Sequence, residues 1–266
     1  MSEQKVAVII NPHFKGLVNY PSAVGLTLVG GQIEGDQGHR PATDEEYLSA
    51  VRRCAVECPE LAQTLARTVA AAILAYEFQR AHVDVRLVSV EGCMHRIGPF
   101  KARGYEIVGT IWEKVVFPRY HEVEQALIGS SCCTVEESRA IMDEALKGTA
   151  NTQIQCVTHG YHQDRVDKTL RDALKRANAY GRVTLWPTLT PEGVLYQCVL
   201  SEKRYWFLRE IILAAEPTKA HMEAEHNAEF PIRALHAVSS FVERLTFGKV
   251  NIETWLAGKR RNKLMM

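Results

Sequence analysis

Ser131-Cys132-Cys133-Thr134-Val135-Glu136-Glu137, a stretch of helical spacing, the short run Ile154 to Val157, and then Thr158-His159-Gly160-Tyr161-His162-Gln163-Asp164-Arg165 decide the fold. A strand leads straight into a helix whose one face carries Val166, Leu170, Leu174 and Ala177. That helix reaches Gly181, and Arg182 to Pro187 reads as the next strand. Strands that alternate with helices in this way join a parallel sheet, because parallel neighbours need a crossover between them. In such sheets ligands bind beyond the carboxyl ends of the strands, so the Thr-His-x-Tyr-His-x-x-Arg cluster after Val157 marks where a site is expected.

The rest of the chain extends the same pattern. Lys5 to Ile10 is an apolar run ended by Asn11-Pro12, and Leu26 to Val29 is another ended by Gly30-Gly31. Either exit can face a ligand. Gln32 to Asp44 reads as a loop, and Thr43-Asp44-Glu45-Glu46 as a capped helix start. Leu61, Leu65, Val69, Ile73 and Leu74 recur at helical spacing toward Arg80, and Val83, Val85 and Leu87 then alternate as in a strand. Residues 91–120, rich in Gly and aromatic side chains, read as an irregular insertion. From Ser201 the pattern is helical, through Trp206, Leu208, Ile211 and Ile212, and again after Pro231 through Ile232, Leu235, Val238, Val242 and Leu245. The expected fold is α/β: a three-layer, Rossmann-like, mostly parallel sheet with helices on both faces and a helical C-terminal region. Residues 1–200 would form the ligand-binding core, and residues 201–266 helices packed on it.

Composition narrows the function. The 266 residues are 46% hydrophobic, enough for a sizeable core. With 32 Lys and Arg against 31 Asp and Glu, a net charge of +1 gives no footprint for a nucleic-acid partner. No apolar run approaches the roughly 18 residues of a spanning helix, and the first apolar run is too short for a signal-peptide core, so a cytoplasmic location without membrane contact is expected. Seven cysteines at irregular spacing fit neither a disulfide framework nor a zinc motif, and reduced thiols are expected.

Val29-Gly30-Gly31, Thr134-x-Glu136-Glu137, Val157-Thr158-x-x-Tyr161-His162-x-x-Arg165 and Leu208-Arg209-Glu210 together resemble the YdcF/SanA/ElyC-like family of α/β domains. The likeness is strongest over residues 130–187. It implies an α/β sandwich, and it carries Thr158, Tyr161, His162 and Arg165 over as motif positions. The chain departs from the family where Glu137 stands in place of an Asn and His159 in place of a small residue. The family implies a fold more firmly than a reaction.

His162 and Arg165 lie three apart at a helix start, on one face and near the positive end of the helix dipole, which suits a phosphate or carboxylate. Arg165 can grip such a group through two parallel hydrogen bonds, and His162 can move a proton. Thr134 with Glu137 also fits a capping box, which would explain both residues without a ligand. Glu136 escapes that explanation and can orient a ligand or act as general base. His162 and Glu136 are therefore the catalytic candidates. Gly30, Gly31, Thr134, Glu137, Thr158, His159, Tyr161 and Arg165 are the ligand-binding candidates. No classical metal spacing occurs, and no cofactor is named by the residues. The expected function is a hydrolase or group-transfer enzyme for a phosphorylated or nucleotide-like small molecule, with the anionic ligand as partner and a homo-oligomer left open. Two other readings stand beside it: a non-catalytic sensor of a nucleotide or S-adenosylmethionine, and an accessory protein acting by contact.

Overall fold

The computed structural model describes residues 5–10, 32–35, 38–41, 43–57, 59–91, 94–97, 100–103, 125–130, 133–147, 151–198, 206–216, 218–246, 252 and 255–256. The expected strand Leu26 to Val29, Gly30, Gly31, Cys132 and, of the expected insertion, residues 92–93, 98–99 and 104–120 lie outside them.

Helix predominates among the described residues, around a five-stranded parallel sheet. Its strands are β1 (Lys5–Ile10), β4 (Asp84–Glu91), β7 (Gln125–Ser130), β8 (Thr152–Val157) and β9 (Val183–Leu185), in the spatial order β7-β4-β1-β8-β9. β1 lies at the centre, with Ile10 opposite Ser89 on one side and Val157 on the other. The chain therefore moves outward from β1 to β4 and β7, then returns to the opposite side of β1 for β8 and β9. The direction of travel reverses between β1 and β8, which is where a parallel sheet opens a crevice at its carboxyl edge.

In two segments the structure is more regular than the sequence suggests. Residues 32–44, read as a loop, contain an antiparallel hairpin, β2 (Gln32–Gly35) with β3 (Gly38–Pro41). Gly35 pairs with Gly38, and strands of four residues are too short to show the alternation that marks a strand, so the segment reads as a loop. A second hairpin, β5 (Met94–Ile97) with β6 (Phe100–Arg103), occupies the start of the segment read as irregular.

Helix α1 (Asp44–Glu57) begins as expected: the Thr43 hydroxyl accepts from the Glu46 N–H at 3.3 Å, while the Thr43 N–H donates to the Glu46 carboxylate at 2.9 Å. Helix α2 (Pro59–Arg80) is buried along nearly its whole length, packing on β4, β1 and β8. α1, α5 (Pro191–Gln197) and α6 (Trp206–Ala214) lie against it, and Tyr47 of α1 meets Phe207 of α6 with ring centroids 5.9 Å apart. Leu61, Leu65, Val69 and Ile73 of α2 join Val157, Leu208 and Ile211 in one hydrophobic cluster.

Helices α3 (Thr134–Leu146) and α4 (Gly160–Arg176) pack on each other, and Ile141, Met142, Val166 and Leu170 meet Val88, Ile154 and Cys156 in a second cluster. Successive residues of a strand point to opposite faces, so Cys156 and Val157 take the two clusters to opposite sides of β8. Helix α7 (Lys219–Leu245) packs on α4 and runs as one element through Pro231, where the sequence suggested a new start. Among the described residues, no helix is long and apolar enough to cross a membrane.

Candidate functional site

Three helices converge on the exit of β8. The strand ends at Val157, and the Thr158 N–H donates to the Leu189 carbonyl at 2.9 Å, holding the chain in strand direction for one more residue. His159 then caps α4 with extended backbone, and Tyr161, His162 and Arg165 occupy the first turns of that helix. Thr158, His159, Tyr161 and His162 are all buried, and Arg165 is half-buried.

The start of α3 differs from expectation. Cys133, not Thr134, is the N-cap residue, and its side chain makes no capping hydrogen bond. Glu137 N–H bonds to the Cys133 carbonyl at 3.1 Å, so Thr134 and Glu137 form no capping box. Glu137 is instead buried, 8% exposed, while Glu136 is half-buried. Burial drives the Glu137 carboxyl pKa up to about 8, against the pull of the Arg165 and Arg67 guanidiniums and with a further push from Glu136.

Arg67, from the middle of α2, completes the cluster and is fully buried. Its Nη1 stands 3.0 Å from His159 Nδ1, and its Nη2 donates to the Thr64 hydroxyl at 3.0 Å. A guanidinium has no acceptor, so His159 Nδ1 accepts, and the ring is neutral with its proton on Nε2. Burial lowers the Arg67 pKa, with Tyr161 and then Glu137 acting in the opposite direction. The Tyr161 hydroxyl donates to Gln63 Oε1, and the Tyr161 ring stacks on His159 with centroids 6.0 Å apart and planes 14° apart. On the α4 side, His162 Nε2 lies 3.4 Å from Arg165 Nη2. Behind them, the buried Ser138 hydroxyl of α3 donates to Thr169 Oγ1 at 2.8 Å, and Thr169 Oγ1 is 3.0 Å from the Arg165 carbonyl, fastening α3 to this turn of α4.

The structure thus brings Thr158, His159, Tyr161, His162 and Arg165 together at one strand exit, with the first turn of α3, Thr134 to Glu137, beside it. Gly30 and Gly31 lie outside the described residues. The sequence reading missed Gln63, Thr64 and Arg67. A signal exists for Arg67 alone: it is the sole charged residue between Leu61 and Tyr76. A charge isolated in so apolar a helix must find a buried partner.

The cluster offers two guanidiniums, two imidazoles and a carboxyl that carries its proton near neutral pH. That inventory suits an anion and permits proton transfer to or from it. A groove of about 470 Å³ lies alongside, bordered by Gly160 and Tyr161 of α4 and by Lys219 and His226 of α7. Its size is that of a small-molecule cleft. Among the described residues no three His, Cys, Asp or Glu side chains are grouped to hold a metal ion. Burial pushes the Cys156 thiol far above its usual range and so keeps it from acting as a nucleophile. Compared with models of protein families, with curated proteins and with solved structures, the chain matches none.

Proposed function

We propose that this protein is a cytosolic α/β enzyme of hydrolase or group-transfer type that binds a phosphorylated or nucleotide-like small molecule at the carboxyl ends of its strands. The observation that carries the reading is the convergence of Arg67, Glu137, His159, His162 and Arg165 on the exit of β8, at the point where the strand order reverses. The same strand order, with separate hydrophobic clusters fed by alternate residues of β8, supports a three-layer Rossmann-like arrangement. The motif likeness to the YdcF/SanA/ElyC-like family leads to the same fold.

In this reading Arg165 grips the anion, and the first turn of α4 adds its positive dipole end. His162 is the acid or base. Of the two adjacent carboxyls, Glu136 keeps the role of orienting the ligand, and Glu137, which holds a proton near pH 7, can donate it to a leaving oxygen. The groove beside Tyr161 has room for the remainder of the ligand.

A thermal-shift screen against nucleotides and sugar phosphates tests the reading. A ligand at a hundred times its Kd stabilises by about 2.7 kcal/mol, and the shift should vanish in Arg165→Ala. His162→Ala should retain the shift and lose turnover. Identical ligand shifts and turnover in the wild type and both folded variants would sink the proposal.

A further inference from the structure

Among the described residues, the buried polar atoms without a hydrogen-bond partner include two donors at the exit of β8 whose residues carry no charge. They are Gln63 Nε2 and Thr158 Oγ1, on side chains with 0% exposure. Donors buried without a partner are costly and uncommon, so a pair of them beside a charged cluster marks a place built to hold something else.

The side chains around them fix where they lie. Tyr161 donates to Gln63 Oε1, which leaves the amide NH2 of Gln63 for another acceptor. Thr158 follows Ile154 and Cys156 on the side of β8 that faces α3 and α4, whereas His159, one residue on, reaches Arg67 on α2. The strand exit is thus flanked by Gln63 and Arg67 on α2 and by Arg165 on α4, with Thr158 on the side of β8 that faces α3 and α4.

We infer that α2 forms the second wall of the anion site, and that Gln63 and Thr158, on opposite sides of the strand exit, select a phosphate group over a carboxylate. A carboxylate presents its acceptor lone pairs in one plane. The oxygens of a phosphate point to the corners of a tetrahedron and can accept from donors on both sides at once. The inference rests on the phosphorylated-ligand reading above and adds to it both the α2 residues and the geometry of the group they hold.

Isothermal titration of the full chain with inorganic phosphate, and separately with acetate, tests it on the wild type and on Gln63→Glu, Thr158→Val and Thr158→Ser. Gln63→Glu keeps the oxygen that accepts from Tyr161 and removes the NH2 donor. Thr158→Val removes the hydroxyl at nearly constant shape, and Thr158→Ser restores it. The wild type should bind phosphate in preference to acetate. Gln63→Glu and Thr158→Val should each weaken phosphate binding about tenfold or more, and Thr158→Ser should bind much as the wild type does. Far-UV circular dichroism accompanies each titration, and the Val/Ser pair at position 158 decides the matter if Gln63→Glu does not fold. Phosphate binding that is unchanged in the folded variants overturns the inference and leaves the broader reading standing, as does acetate binding as tightly as phosphate. A wild type that binds neither phosphate nor any phosphorylated compound overturns both.

Discussion

Glu137 is the residue on which the site turns. Its carboxyl is buried, and its pKa of about 8 lies above the ordinary 4.5 of a glutamate, chiefly because burial penalises the charged form. Folding therefore takes up a proton between those two values, and the stability of the folded state falls as pH rises through that window. At 1.36 kcal/mol per pH unit the full cost is on the order of 4 to 5 kcal/mol above pH 8 and vanishes below about pH 4. Glu137→Gln removes the titrating group and keeps its size. Its thermal midpoint should exceed that of the wild type at pH 8.5, with the advantage shrinking toward pH 5, in paired melting curves across that range. An advantage that grows toward low pH would contradict the assignment. Which of two adjacent glutamates turns inward was not legible in the sequence. Thr134-x-x-Glu137 satisfies a capping pattern on paper, and moving the cap by one residue, to Cys133, turns every following side chain by about 100°.

Capping shows at the scale of the element what the pattern is worth when it does form. Thr43 and Glu46 make the reciprocal bonds that Thr134 and Glu137 do not, although both pairs read alike in the sequence. Thr43→Ala should cost about 0.5–2 kcal/mol in urea denaturation, with an unchanged m-value. Thr134→Ala loses no cap and should cost less; equal losses would mean that Thr43 does not cap α1. The helices themselves were legible, because apolar residues at i, i+3 and i+4 need a buried face. Helix α2 shows where that logic stops. Its leucines and alanines announced a buried element, but burial all round the helix leaves no polar face to stand out, and Gln63 and Arg67 were lost among residues read as core. The hairpin at residues 32–41 was missed for a related reason, since four-residue strands are too short to display an alternation.

Over the whole molecule, the two hydrophobic clusters meet the same strand from opposite sides, and the site lies where that strand ends. Leu65 belongs to one cluster and Leu170 to the other, at 1% and 3% exposure. β8 supplies Val157 to the first and Cys156 to the second, so neither cluster can loosen without disturbing the segment that presents Thr158 and His159. If the described elements unfold as one unit, Leu65→Ala and Leu170→Ala should each cost about 2–5 kcal/mol, the loss of transfer energy plus the cavity left behind. Each should shift a single transition. Trp186, which meets Phe78 of α2 with ring centroids 5.8 Å apart, and Trp206, at the start of α6, place fluorescent reporters beside α2, while circular dichroism reports on all the helices. Tryptophan fluorescence and far-UV circular dichroism recorded along one urea titration should therefore give coincident curves for the wild type and both variants. Curves that separate in Leu170→Ala but not in Leu65→Ala would show that α3 and α4 unfold apart from the α2 cluster. The proposed anion site would then join two independently stable parts, and a ligand bridging them should bring the two transitions back together.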